Sequence, residues 1–341
     1  MKVLVVRLSS MGDVVQTLPA VEDAARALPD VSFDWAVEES FADIPKWHPR
    51  VENVLPLGIR RWNRSRVDAV RKGEPGRALR LLRSRRYDAV IDLQGTLKSA
   101  AVARLARGPR VGYDARSVNE WGAHAAYRRR IKVEKGIHSS LRMRKLLAAA
   151  LGYEFDAENA DHGIDRSRLE PDGVEIGGPF LVFITSTSWP SKNWPEDRWK
   201  RLTQIARAAG FQVAIPWGSD AEREQAERIA AGNAFVLPRL TIGQKASVIV
   251  RAAAAVGLDT GLTHIAAALN VPQVSLYGPT DPKLVGALGP RQVRLVARFD
   301  CLFCHQRVCT YPGLADFKPA CLVEFPPERV WGELMKLLSS R

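Results

Sequence analysis

The pattern that most restricts this chain is an alternation. Short apolar runs, too short to cross a bilayer, recur with helical stretches between them. KVLVV (2–6), FDWAV (33–37), DAVIDL (88–93), PFLVFI (179–184), FQVAIP (211–216), AAVGL (254–258) and QVSLY (273–277) read as strands. TLPAVEDAARAL (17–28) and PEDRWKRLTQIARAAG (195–210) read as helices. In the second, Trp199, Leu202, Ile205 and Ala206 share one helical face and Gly210 is a natural stop. Parallel strands need crossover connections, so this alternation predicts an α/β fold with helices on both faces of parallel sheets.

The alternation then restarts. DAENADHGIDRSRLEPDGVEIGG (156–178) is polar and rich in Asp, Glu and Gly, and reads as a linker. After it, PFLVFITSTSWPSKNWP repeats the theme of the opening MKVLVVRLSSMGDVVQTLPA: a buried strand running into small hydroxyl residues. A chain of 341 residues has room for two domains. We expect two doubly wound, Rossmann-like units at 1–165 and 175–325 facing a central cleft, with a last helix at 327–341 packing on either. Ligands of such units sit at the carboxyl ends of the strands, so the loops there are the place to look for chemistry.

The first such loop, RLSSMGDVVQ, is neither G-x-G-x-x-G nor a P-loop. It has one glycine, Gly12, followed by an acid, Asp13. An Asp at a helix start is ordinarily a cap, and it is also a candidate general base. In the second half, TSTSWPSK (185–192) offers hydroxyl and backbone donors with the point charge of Lys192, a set suited to a diphosphate or simply to capping. PWGSDAERE (216–224) places Glu222 in a first helical turn, where it is either a helix-favouring acid or a partner for a ribose or an adenine amine. GLDTGLTHIAAALNVPQVSLYGPTDP (257–282) is the most specific stretch. Asp259, Thr260 and Gly261 lead into a helix whose first turn holds His264 near the mouth of the site, and YGPTDP brings a second turn to the same edge.

Charge and cysteine are unevenly spread. The net charge is +13, and eleven Lys/Arg fall between Arg60 and Arg86 against Asp68 and Glu74. A second cluster is Arg128, Arg129, Arg130, Lys132 and Lys135. Such density calls for an anionic partner, although Arg77 to Arg86 fits a solvated helix face. GIRRWNR lies off any clean helical pattern, with Arg forks suited to carboxylate or phosphate and Trp62 as a flat wall. The sequence holds no nucleic-acid-binding motif, and its start lacks the long apolar core of a signal peptide, so we expect a cytoplasmic protein without nucleic acid as partner. All four cysteines, Cys301, Cys304, Cys309 and Cys321, lie in one segment. Their C-x2-C-x4-C-x11-C spacing could close a structural zinc site or leave reduced thiols in a loop.

SSMGDVVQTLPA, DWAVEESFADIPKWHP, IRRW, DLQGTLKSA, KNWPEDRW, PWG, DTGLTHIAAAL and YGPTDP together resemble the lipopolysaccharide heptosyltransferases of glycosyltransferase family 9, most of all the type I members. The resemblance runs over about residues 1–300. It implies a GT-B fold, an N-terminal domain for the acceptor and a C-terminal domain for ADP-heptose. The implied reaction is an inverting transfer of L-glycero-D-manno-heptose to Kdo of Kdo-lipid A, with no metal or other cofactor required. Asp13 matches the catalytic base, and Lys192 meets the charge on the leaving group. Thr187, Ser188, Lys192, Glu222, Asp259, Thr260, Gly261 and His264 fall to the donor. Arg60, Arg61, Arg64 and Lys98 are counter-charges for the acceptor, and Ser10 is placed against either substrate. The resemblance also implies work at the cytoplasmic face of a Gram-negative inner membrane, whose anionic surface the basic excess suits. A sister enzyme with another donor or acceptor, or a GT-B sugar-nucleotide epimerase, would share many of these features.

Overall fold

The computed structural model describes residues 1–340 and divides into two units, the first Met1–Arg168 and the second beginning at Leu169. The first is built on a parallel sheet of β1 (Lys2–Val6), β2 (Ser32–Glu38), β3 (Val51–Leu57), β4 (Ala89–Asp92), β5 (Arg110–Tyr113) and β6 (Arg129–Ile131), in the order β3-β2-β1-β4-β5-β6. The second sheet is β7 (Phe180–Ile184), β8 (Gln212–Ile215), β9 (Phe235–Val236), β10 (Ala254–Leu258), β11 (Gln273–Tyr277) and β12 (Gln292–Val296), in the order β12-β11-β10-β7-β8-β9. Counted from the first strand of its own unit, each sheet has the Rossmann order 3-2-1-4-5-6. The alternation and its restart are thus one topology used twice.

Burial explains why the central strands were legible and the edges were not. β7, β10 and β11 are buried at every residue, and β1 at all but Lys2, so each reads as an unbroken apolar run. The edge strands β3, β6, β9 and β12 are partly exposed, and their mixed composition gave no clear strand signal. β5, a buried interior strand of four residues that holds Gly112, was not read either, because it is too short to show an apolar run. In the second unit Trp199, Leu202 and Ala206 bury the inner face of helix Glu196–Ala208. Trp194 and Trp199 meet edge to face with centroids 5.0 Å apart, and Gly210 takes φ +87° just past the helix end. Truncating a fully buried Trp of this kind typically costs about 3–5 kcal/mol.

The unit boundary falls inside the polar stretch 156–178, which is fastened on both sides. Arg144, itself buried, donates to the carbonyls of Asp156, Ala157 and Asn159, and Arg26 pairs with Asp161, all within the first unit. Beyond the boundary, Thr241 donates to Glu170 and Arg251 to Asp172. IRRWNR, which showed no clean helical pattern, is a short helix (Ile59–Arg64), because three hydrogen bonds from Arg61 to Glu39 and Glu74 anchor it by tertiary contact. The final helix, Pro327–Ser339, packs on Glu196–Ala208, with Arg201 paired to Glu328.

Candidate active site

In each sheet the strand order reverses beside the unit's first strand, between β1 and β4 and between β7 and β10. Ligands of doubly wound sheets bind there, outside the carboxyl ends of the strands. The loops after these four strands carry most of the candidate residues.

After β1, the short helix Met11–Val15 begins with Ser10 as its cap. Asp13 turns back on that cap. Its Oδ2 accepts from the Ser10 N–H at 2.9 Å and from Ser10 Oγ at 2.7 Å. Arg7 stands 2.7 Å from Oδ1, and Ser139 Oγ reaches the same oxygen at 3.5 Å. The capping account of Asp13 therefore holds, and it leaves the carboxylate oriented by four donor contacts. Arg7 is 6% exposed and is fixed in turn by donating to the Leu93 carbonyl at the end of β4. Sequence reasoning missed Arg7 as a site residue; its signal was a lone charge directly after a buried apolar strand.

The loop after β4 is organised by Asp92. This buried carboxylate accepts from the Gln94 and Gly95 N–H groups and from the Tyr127 hydroxyl at 2.7 Å. Burial pushes its carboxyl above the usual range, only partly offset by these bonds. Gln94 Oε1 accepts from the N–H groups of Leu8 and Ser9, which ties the β4 loop to the loop that carries Ser10 and Asp13.

Four basic residues were predicted for the acceptor, and the structure sorts them. Arg61 is committed, with bonds of 2.6–3.0 Å to Glu39 and Glu74. Trp62 is not a bare wall, since its indole N–H also donates to Glu74. Arg60 donates its backbone N–H to buried Glu38 and lays its guanidinium 5.0 Å from the Phe41 ring centre. Burial raises the Glu38 carboxyl, while Arg60 and Lys98 oppose that shift. Arg64 and Lys98 are exposed and make no side-chain bond among the described residues.

The second unit gathers a tighter cluster. Asp259, directly after β10, is 7% exposed. Its Oδ2 accepts from Lys192 Nζ at 2.7 Å and from Thr280 Oγ1 at 2.6 Å, and His264 Nε2 stands 3.7 Å from Oδ1. Burial opposes its charge, but His264 and Lys192 outweigh burial and hold the carboxyl well below the usual range. His264 is buried rather than at a mouth, because it turns to Asp259. Thr260 is the N-cap residue of helix Gly261–Ala268 without a side-chain cap bond, and the first N–H groups of the helix have no partner within it. Lys192 also lies 4.6 Å from the Trp189 ring centre, and Thr187 is held by Asn193 within the same loop as Ser188. Thr280 was missed as a residue, although its turn YGPTDP was assigned to this edge.

Glu222 sits further along the edge, after β8. Its Oε2 accepts from the Gly218 N–H at 2.6 Å, so it shapes the Trp217–Gly218 turn. Buried Lys245 lies near it; burial lowers its ammonium, and Glu222 opposes that shift. Nothing in the local sequence marked Lys245.

The four cysteines line one cavity of about 120 Å³, beside Ser191 and Pro279. Burial, then the neighbouring thiols, raises Cys301 and pushes Cys321 up to about 12. The segment is fastened to the loops after β7 and β11: Ser191 bonds to the Gln306 and Arg307 carbonyls, and the His305 N–H donates to the Pro279 carbonyl. Among the described residues no three His, Cys, Asp or Glu side chains are grouped as metal ligands.

A pair of Rossmann-ordered units, one presenting an oriented carboxylate and the other a Lys–Asp–His cluster at a helix start, is the build of a GT-B glycosyltransferase. Residues 76–315 match the model of glycosyltransferase family 9 (heptosyltransferase), and the chain belongs to that family. Lipopolysaccharide heptosyltransferase 1 of Pseudomonas aeruginosa is 45% identical over 99% of this chain and 98% of its own length. Among solved structures, E. coli heptosyltransferase WaaC with ADP superposes with a TM-score of 0.81 at 41% identity, over 87% of this chain and 93% of that one. The same enzyme with ADP-2-deoxy-2-fluoro heptose gives 0.78 at 40%, with the same coverage.

Proposed function

We propose that this chain transfers L-glycero-D-manno-heptose from ADP-heptose to Kdo of Kdo-lipid A, with inversion and without a catalytic metal. The observation that carries the reading is the Lys192–Asp259–His264 cluster at a helix start, in a chain 45% identical to a heptosyltransferase 1 throughout. A helix N-terminus and a positioned lysine are what a diphosphate needs. The ADP and ADP-sugar bound in the E. coli relative agree with that use.

In the proposed reaction the acceptor hydroxyl oxygen attacks the heptose anomeric carbon, the bond from that carbon to the ADP oxygen breaks, and Asp13 takes the hydroxyl proton. Arg7 and Ser10 hold Asp13 in position. Lys192 and the first N–H groups of helix Gly261–Ala268 meet the negative charge that grows on ADP, while Asp259 and Thr280 fix Lys192. Thr187, Ser188, Thr260 and His264 complete the diphosphate and heptose contacts, and Glu222 serves the nucleoside. Arg60, Arg64 and Lys98 face the acceptor anions, with Arg61 bracing the helix that carries two of them.

The acceptor is a lipid, and we place the enzyme at the cytoplasmic face of the inner membrane. No helix among the described residues is long and apolar enough to cross a membrane. Val67 and Val70 are 79% and 69% exposed among Arg66, Arg71 and Lys72, which supports surface contact with anionic lipid. We further propose that Cys301, Cys304, Cys309 and Cys321 turn into the cavity they line and hold a structural zinc ion, bracing the Ser191 and Pro279 loops. Elemental analysis finding neither zinc nor iron retires that site.

The function is tested by incubating the enzyme with ADP-heptose and Kdo-lipid A in EDTA and measuring ADP release. Acceptor-dependent release that Asp13→Asn abolishes supports both reaction and base. No release from folded wild type means another donor or acceptor.

A further inference from the structure

Three arginines that no part of this reaction uses meet at the other end of the first sheet. Arg86 lies just before β4, Arg107 just before β5 and Arg128 just before β6. The three strands are adjacent and parallel, so the residues that precede them lie at one edge. That edge is opposite the one carrying Asp13, which follows the carboxyl end of β1. The three side chains line a single cavity of about 400 Å³, floored by Gly108 and Pro109. Its size is within the roughly 300–1,000 Å³ usual for small-ligand sites. Gly108 is needed there: it has φ +156°, and a Cβ would lie 2.6 Å from the Tyr87 carbonyl oxygen.

What separates this group from the rest of the basic surface is that unpartnered side chains from three separate loops line one cavity. The side chains of Arg86, Arg107 and Arg128 make no hydrogen bond or ion pair among the described residues, and no acid lines the cavity. Neighbouring arginines are committed: Arg110 donates to Ala126, Arg129 to the Ala149 and Ala150 carbonyls, and Arg130 to Tyr127. A solvated charge run would come from consecutive residues of one helix face. These three come from separate loops that the sheet brings together. Like charges gathered in a pocket repel, and an anion relieves that repulsion while filling the forks bidentately.

We propose that Arg86, Arg107 and Arg128 form a second anion site, distinct from the donor and acceptor sites, which takes a phosphate group. The phosphate belongs to a lipid headgroup or to a soluble phosphate compound, and the test separates these. The full-length protein and the triple variant Arg86→Gln/Arg107→Gln/Arg128→Gln are compared with a charge-matched control on the solvated helix face, Arg77→Gln/Arg80→Gln/Arg83→Gln. Each is titrated with inorganic pyrophosphate by calorimetry and sedimented with phosphatidylcholine vesicles with and without phosphatidylglycerol. We expect the pocket variant to lose about tenfold or more in affinity, with the control within about twofold. Loss confined to the vesicles assigns a lipid headgroup, and loss confined to pyrophosphate assigns a soluble ligand. Equal losses in both variants, or wild-type binding by the pocket variant, overturn the site. Circular dichroism and ADP release with acceptor dispersed in detergent should match wild type in both variants, so the result stands whatever sugar the enzyme transfers.

Discussion

Asp92 closes β4 and Asp259 follows β10, the fourth strand of each unit, so one topology places a buried carboxylate twice at a switch point. The surroundings differ. Asp92 meets two backbone N–H groups and a tyrosine hydroxyl, all neutral, and burial raises it. Asp259 meets Lys192 and His264, and they hold it down against burial. The first is a structural tie for the loops around it; the second is charged and aligns a cation. The loops after the first strands differ likewise: the first unit presents Asp13 and the second Lys192. The shared fold thus fixes where a ligand is met, and the partners of each carboxylate fix what it can do.

The sharpest way to break this contrast is to remove the two charges proposed to act in the reaction. Asp13→Asn should lower kcat by about 10²–10⁴-fold with the melting temperature little changed, as expected for a general base. Lys192→Ala should cost about 10²–10³-fold in kcat/KM. An Asp13→Asn enzyme with near wild-type kcat would return Asp13 to a helix cap. Next comes the paired exchange. Asp259→Asn should reduce kcat/KM for ADP-heptose by about 10–100-fold, because Lys192 loses its alignment. Asp92→Asn should leave kcat/KM within about twofold but destabilise the fold by about 1–3 kcal/mol. The reverse pattern in steady-state kinetics and urea unfolding would sink the assignment.

The same pair should separate by pH. Asp259 is held below its ordinary 3.8, so its contribution to stability is complete above 3.8 and is lost as pH falls toward its lowered value. Asp92 is held above 3.8, so the fold loses stability as pH rises from 3.8 through its raised value. Urea midpoints measured against pH should show Asp259→Asn flattening the acid limb and Asp92→Asn flattening the decline above it. Thr280→Val removes one donor to an ionised acceptor. It should cost about 1.5–3 kcal/mol of stability and change the KM for ADP-heptose more than kcat.

The sequence by itself determined the fold class, the repeated topology and the loops that carry the candidate site. Strands buried on both faces write continuous apolar runs, and the helices between them force parallel pairing. Tertiary structure decided the partners. Arg7 meets the Leu93 carbonyl and Gln94 meets Leu8 because β1 and β4 lie side by side, although each pair is 86 residues apart in sequence. Lys192 and Asp259 are 67 apart, joined by the pairing of β7 with β10. Arg61, read as a counter-charge for the acceptor, is held by two acids, and Arg86, Arg107 and Arg128 gather only at a sheet edge. A side chain's charge is written in the sequence, but its partner and its exposure to water depend on which distant strands become neighbours.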